Sequence, residues 1–351
     1  MASKTKSKYS KSYASSSTAG SNVSSGASAS LAESGSSDST FWQTAETSGL
    51  NLASSASNFV KVWDPLSCSK DWDRQTPSPI ALNRIKRDLS TFFADPPTGI
   101  FIVPDESNVT LIHALIIGPY DTPYEGGFFH FILRCPPDYP IRPPRVRLMT
   151  THGGRVRFNP NLYADGKVCL SILGTWSGPA WTPAQSFCSV LISIQSLMNE
   201  RPYHNEPGYE TEHRPGDSAR YNRMITYQTI RVAVCDALES HTATPAPLVD
   251  VMRQSFAQFY LSYAASLSEL ETYDGCALND PFAQNVGKFQ IADVRRRLAT
   301  LWSLYGPPGE PEPTLEDAMK FPNDADSDVE ILEDAVGSDG RKASDGGDRR
   351  K

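Results

Sequence analysis

Residues 158–173 read FNPNLYADGKVCLSIL. The run sets a lone cysteine, Cys169, eight residues after an amide side chain, Asn161, with a Gly166-Lys167 turn between them. A thiolate can accept an acyl group and hold it as a thioester, and an amide N–H nearby can donate to the oxygen that turns negative when that thioester is attacked. The reaction class suggested is acyl transfer. No histidine lies in the run, so the Cys-His pairing of a thiol protease has no local candidate and no dedicated base is visible. Free cysteine is among the most buried residue types, but Ala164, Asp165, Gly166 and Lys167 ahead of it read as a polar turn and predict an exposed thiol.

Working outward toward the N-terminus, Arg145 to Met149 reads as a strand, as do the apolar stretches at 127–135, 109–117 and 100–103. Pro, Gly and Asp turns separate them, which predicts an antiparallel meander of four strands. Before them, PIALNRIKRDLSTFFAD places Ile80, Ile85, Leu89 and Phe92 or Phe93 at helical spacing, and Pro96-Pro97 ends the run. One helix followed by four strands is an α+β arrangement.

Toward the C-terminus, residues 183–198 repeat apolar positions at Val190, Leu191, Ile194 and Leu197, a buried helix opened by a Thr-Pro cap signal. A second helix is predicted over 221–238. Beyond it Leu248, Met252, Phe256, Phe259, Tyr260 and Tyr263 form one apolar stripe, and Ile291, Val294, Leu298, Leu301 and Tyr305 another. Both need a surface to cover, the core being the expected one and a partner's groove the alternative.

The ends differ from this middle. Residues 1–60 are rich in Ser, Ala, Gly and Thr and hold too few large apolar side chains to offset chain entropy, so disorder is expected there. Residues 306–351 are rich in Pro, Asp and Glu and are expected to be a disordered acidic tail; from 307 on, thirteen acidic face six basic side chains. That accounts for the net charge of −7 and leaves the body neutral, with no electrostatic footprint for nucleic acid. Six cysteines without metal-like spacing read as free thiols in a reducing compartment. No apolar run is long enough to span a bilayer, and a soluble protein of cytoplasm and nucleus is expected.

The central run resembles the fingerprint of the ubiquitin-conjugating enzymes (E2s): His-Pro-Asn, a Gly-Lys/Ser turn, then the active cysteine followed by Leu. The Pro-rich strand entry PPDYPIRPPRV at 136–146 and GPYDTPYEGGFFHF at 118–131 stand in the family's order. The runs VCLSILGTWSGPAW at 168–181 and PYHNEPGYE at 202–210 mark one subgroup, and the likeness covers roughly 72–239. It implies the UBC fold over 72–239, here with a helical extension over 246–305. It also implies that Cys169 takes ubiquitin or a ubiquitin-like modifier from an E1 as a thioester and passes it to a substrate lysine, usually with an E3. No metal or organic cofactor is implied; ATP is consumed by the E1. A monomer that binds neither membrane nor nucleic acid is expected.

Several departures from the family pattern carry information. Asn159 stands where the family has His, a position implied to hold backbone geometry. Ser171 stands where many members carry Asp, which removes a carboxylate near the cysteine; Glu206 is the candidate replacement, with His204 and Asn205 beside it. The GTWSGPAW segment is an insertion that Trp176 and Trp181 are expected to anchor. For Asn161 the likeness implies both loop support and oxyanion donation. For E1 and E3 it implies one shared surface built from the basic helix face of Arg84, Lys86 and Arg87, from Ile141, and from the loop Thr182, Pro183, Ala184. Ile141 in place of the common Phe suggests a restricted choice of E3. In the tail, DSDVEILED at 326–334 resembles a strand-adding motif for SUMO-type modifiers, and Ser327 and Ser344 read as phosphorylation sites. Two rivals remain at this point: a non-catalytic E2-like ubiquitin-binding module, which would lack the cysteine, and a cysteine hydrolase of ubiquitin conjugates, which would need a His beside Cys169.

Overall fold

The computed structural model describes residues 62–67, 70–240, 243–314 and 316. The two Ser-rich and acidic expectations for 1–60 and for most of 306–351 lie outside these residues, as do the 326–334 motif, Ser327 and Ser344.

After a single turn, α1 (Lys70–Asp73), the chain enters α2 (Pro79–Ala94). Ser78 caps α2, its side chain accepting from the Ala81 N–H, with Pro79 at the first helical position where no N–H is needed. The buried face is Ala81, Ile85, Asp88, Leu89 and Phe92. Ile80 does not join it and is 75% exposed, as Phe93 is largely exposed too. The cause is angular: 81, 85, 88 and 92 follow the helical repeat, whereas 80 sits one residue, about 100°, off that stripe.

Four strands follow, β1 (Ile100–Pro104), β2 (Leu111–Ile117), β3 (Phe128–Arg134) and β4 (Arg145–Leu148). They pair antiparallel in the order β1-β2-β3-β4, the meander expected. Ile102 opposite Ala114, and Ala114 opposite Phe131, put the core residues on one face. The other face carries Phe101, Leu115 and His130 in register, then Val103, His113, Ile132 and Arg147. At the β3-β4 end of that face Arg134, Arg145 and Arg147 pair with Asp73, Asp71 and Asp64 of the entering chain.

Helix α3 (Phe187–Leu197) begins later than the Thr-Pro signal suggested. Ser186 and Ser189 form a reciprocal capping pair there, which satisfies the end N–H groups and leaves Thr182 to Gln185 as a loop. The next helix runs as α4 (Asp217–Gln228), a wider π stretch Thr229–Asp236 and α5 (Ala237–Glu239), starting four residues before the predicted Tyr221. Asp217 sets that start by accepting from the Arg214 N–H.

The extension is α6 (Ala246–Glu269) and α7 (Ile291–Tyr305). Their apolar stripes share one buried cluster with α2, α3 and the inner sheet face. Tyr263 donates to the Gly126 carbonyl at 2.7 Å, and a Cβ at Gly126 would lie 2.7 Å from the Phe259 ring, so only glycine lets α6 approach there. Trp302 of α7 meets Tyr260 of α6 at 4.7 Å between ring centres. At the head of the acidic segment, Glu312 accepts from Tyr260 and the Glu310 carbonyl from Trp302 Nε1. This is the UBC fold with a helical C-terminal extension. Among the described residues no helix is long and apolar enough to cross a membrane.

Candidate active site

The Cys169 segment is a docked turn. Its Gly166 carbonyl accepts from Leu148 of β4 at 2.9 Å, and Arg147 and Lys167 form an antiparallel bridge. Gly166 has φ +91°, and a Cβ there would lie 2.6 Å from the Leu148 carbonyl oxygen, so both conformation and clearance require glycine. On the far side Leu162 bridges Val168, and Thr175 of the inserted segment accepts from Leu170 N–H while donating to the Val168 carbonyl.

Asn161 and Cys169 hold each other. The Cys169 N–H donates to the Asn161 carbonyl at 2.9 Å, and Asn161 Nδ2 donates to the Cys169 carbonyl at 2.9 Å. That uses one of the two side-chain N–H groups; Asn161 Oδ1 is buried without a partner. Docking has a consequence for the thiol. Cys169 is buried, 1% exposed, where the polar letters before it predicted exposure. The turn is pressed onto β4, so Gly166 is itself buried and only Asp165 of the turn is exposed.

Burial pushes the Cys169 thiol up, the charges of Lys167 and Arg157 pull it down, and Asp165 and Glu206 push it up again. Arg157, Glu206 and Asp165 also act on Tyr163, whose phenol is raised chiefly by burial. Arg157 is the least expected of them. Largely buried, it donates from Nε to the Asn159 carbonyl at 3.2 Å and from Nη2 to the Pro160 carbonyl, lies 4.2 Å over the Tyr163 ring, and faces Glu206 Oε2 at 3.5 Å. Glu206 follows the 3-10 turn Pro202–Asn205 and is partly exposed. His204 is committed within its own loop, its Nδ1 2.6 Å from the Tyr209 carbonyl. Asn205 donates to the Leu197 carbonyl at 2.9 Å.

Asn159, where the family has His, is fully buried and serves as a hub. Its Nδ2 reaches Tyr124 Oη and the Leu197 carbonyl, and its Oδ1 accepts from the Asn161 N–H at 3.0 Å. Ser171 opens the 3-10 turn Ser171–Leu173 and packs beside Gly178. Trp181 anchors the insertion by donating to the Pro140 carbonyl at 2.7 Å; Trp176 is half-buried and lies outside the core cluster. No described histidine is bonded to the Cys169 thiol: His113 meets His130, His152 meets Asp236, and His204 and His213 meet main-chain carbonyls.

The candidate partner surface is gathered by contacts between α2, the 140–141 region and the 181–185 loop. Lys86, Arg87, Thr182, Pro183 and Ala184 are exposed, and Ile141 is 67% exposed. Arg84 is drawn inward: it pairs with Asp88 at 2.7 Å and donates to the carbonyls of Pro183 and Gln185, both at 2.7 Å. It thereby ties α2 to the 182–185 loop, while Tyr139 links Asp88 to the Phe187 N–H. Arg157 and its neighbours are what sequence reading passed over. Arg157 adjoins the quoted run and was within reach of inspection; its partners were not.

A free thiol held by an amide-bearing segment, on this helix-and-meander frame, is an arrangement for acyl transfer, and comparison with known proteins is in keeping with it. The family model described as ubiquitin-conjugating enzyme matches residues 84–229. With the identities that follow, the chain belongs to the family of ubiquitin-conjugating enzymes. It is 54% identical to human ubiquitin-conjugating enzyme E2 Z over 251 residues, 72% of this chain and 71% of that protein. To E2 Z of Xenopus tropicalis it is 56% identical over 240 residues, 68% of this chain and 76% of that protein. Human dual E2 ubiquitin-conjugating enzyme/E3 ubiquitin-protein ligase BIRC6 is 40% identical over 185 residues, half of this chain and 4% of that protein. An enzyme of this family works with an E1, ubiquitin and E3 proteins.

Proposed function

We propose that Cys169 is the residue that carries the modifier, and that the modifier is ubiquitin, as the names of the E2 Z relatives suggest. The Cys169 thiolate attacks the E1-ubiquitin thioester, the E1 sulfur leaves as a thiolate, and the acyl group now rests on Cys169. A substrate lysine amine then attacks that carbonyl. The tetrahedral oxyanion collapses with loss of the Cys169 thiolate, and the nitrogen gives up a proton as the amide forms. The observation that carries this reading is the reciprocal 2.9 Å pairing of Cys169 and Asn161, which fixes the nucleophile beside an amide with one N–H still to give.

Placement supports the following roles. Asn161 holds the loop and lends its second N–H to the oxyanion. Glu206, whose charge acts on the thiol, attracts the incoming ammonium and assists its deprotonation in place of the carboxylate that Ser171 lacks. Lys86, Arg87, Ile141 and the 182–184 loop form the surface for E1 and E3, with Arg84 as the brace beneath it.

Incubating the full chain with ATP and each of several E1 and modifier pairs, then taking intact masses with and without thiol reductant, tests the reading. A reductant-labile increment of one ubiquitin is the expected result, and an increment with another modifier alone would overturn the choice of ubiquitin. No increment with any pair sinks it, and steady turnover of a C-terminal ubiquitin ester would favour a hydrolase.

A further inference from the structure

A loop of the C-terminal extension, residues 280–285, reaches the segment that carries the candidate site. Asn285, 5% exposed, pairs with both main-chain groups of Arg157: its Oδ1 accepts from the Arg157 N–H at 2.9 Å and its Nδ2 donates to the Arg157 carbonyl at 2.9 Å. A side-chain amide used in this way satisfies a buried peptide unit as a neighbouring strand would, and fixes where that unit sits. Asn285 is itself held. Asp280 Oδ2 accepts from the Asn285 N–H at 2.8 Å and from its Nδ2 at 3.0 Å, while Oδ1 accepts from the Phe282 N–H.

The same loop grips the second segment. The Phe282 ring lies 5.4 Å from Tyr203 and 5.0 Å from Tyr221, and Tyr203 belongs to the turn just before Glu206. One short loop therefore sets the two positions from which Arg157 and Glu206 face each other at 3.5 Å.

We propose that this loop is a working part of the active site: Asn285 is a positioning residue for Arg157, and Arg157, bonded to the Asn159 and Pro160 carbonyls next to the Asn161 that pairs with Cys169 and facing Glu206 at 3.5 Å, is the cation that serves the nucleophile's segment and orients the Glu206 carboxylate. The part concerning Glu206 rests on the function proposed above; the part concerning the Cys169 segment does not. Opposite charge near a thiol stabilises its ionised form, and the guanidinium stays charged throughout the working range. With Asn285 removed, the Arg157 peptide unit loses both side-chain partners, and the backbone from which the guanidinium reaches its own contacts is no longer fixed. The extension then becomes more than a cover for the core, because a contact 128 residues distant in sequence sets the charge at the nucleophile.

The test is the pH profile of Cys169 alkylation by iodoacetamide, read at the Cys169 peptide by mass in the full chain, for the parent, Asn285→Ala, Arg157→Gln and the double variant. The expected result is an upward move of the midpoint by roughly half a pH unit or more in each single variant. The double variant should match Arg157→Gln, since Asn285 acts through it. Asn285→Ser, which is uncharged and too short to span both main-chain groups of Arg157, is read in place of Asn285→Ala if the latter does not fold. A profile for the Asn285 variant that superimposes on the parent's, an unmoved profile in Arg157→Gln, or single shifts that add in full would each overturn the proposal. Alkylation needs neither E1 nor lysine, so these outcomes stand apart from failure of E1 loading in the parent, which would overturn the function instead.

Discussion

Asn161 and Cys169 bond to each other twice, main chain to main chain and side chain to main chain, each at 2.9 Å. The candidate nucleophile is thus carried on a segment whose other end supplies the amide. Separating the covalent role from the supporting one is the first task for experiment.

Cys169→Ser is expected to give an E1-dependent adduct that resists thiol reductant and yields to alkali, because an oxyester replaces the thioester. Cys169→Ala should give none. Gel shift under both treatments is the check, and an adduct on the alanine variant would remove Cys169 as the acceptor.

Asn161→Ala should slow discharge to free lysine more than it slows loading, since an oxyanion donor matters most when an amine attacks. By comparison with loss of one such donor the slowing reaches roughly a hundredfold, less where Asn161 chiefly holds the Cys169 carbonyl. Single-turnover discharge across a range of lysine concentrations measures it. Equal rates in variant and parent would confine Asn161 to structure.

Glu206→Gln should slow lysine discharge most at low pH and progressively less as pH approaches the lysine pKa of about 10.4, where deprotonation no longer needs help. A pH-independent slowing would mean positioning alone. Parent-like discharge at every pH would exclude Glu206, and the commitment of His204 to the Tyr209 carbonyl would direct attention to an acid on the substrate or E3.

His130 supplies a stability prediction. Burial, with His113 beside it, lowers its imidazole to about 4. Unfolded, it titrates near 6.5, so between about pH 6.5 and pH 4 the unfolded chain binds the extra proton and stability falls as pH falls; above that window this group contributes no slope. The loss from this group alone is about 3 kcal/mol over the window. Urea unfolding of the parent and of His130→Gln at pH 7 and pH 4.5 should show the variant losing less. An acid limb equally steep in both would assign the loss to carboxylates.

Much of the frame was legible in the letters. The four strands and α2 could be read because strand alternation and helical spacing are local, set by which side chains must face one core. Where reading slipped, a tertiary neighbour had intervened. Ser186 and Ser189 satisfied each other's N–H groups and set the helix start beyond the Thr-Pro signal, and β4 took the Gly166 carbonyl and drew in a turn that looked exposed. Arg84 looked like one more basic residue on a helix face until the Pro183 and Gln185 carbonyls drew it in.

By itself the sequence pointed to the candidate nucleophile, the amide eight residues before it and the order of elements around them, because those depend on neighbours in the chain. Only the tertiary structure decided the charges at the site. Glu206 faces Arg157 across 49 residues of sequence, and Asn285 holds Arg157 across 128. No local pattern encodes such pairs: a buried guanidinium and a buried peptide unit take whichever partners the packed core brings within reach, and leaving either unpaired would cost more than the contact gives.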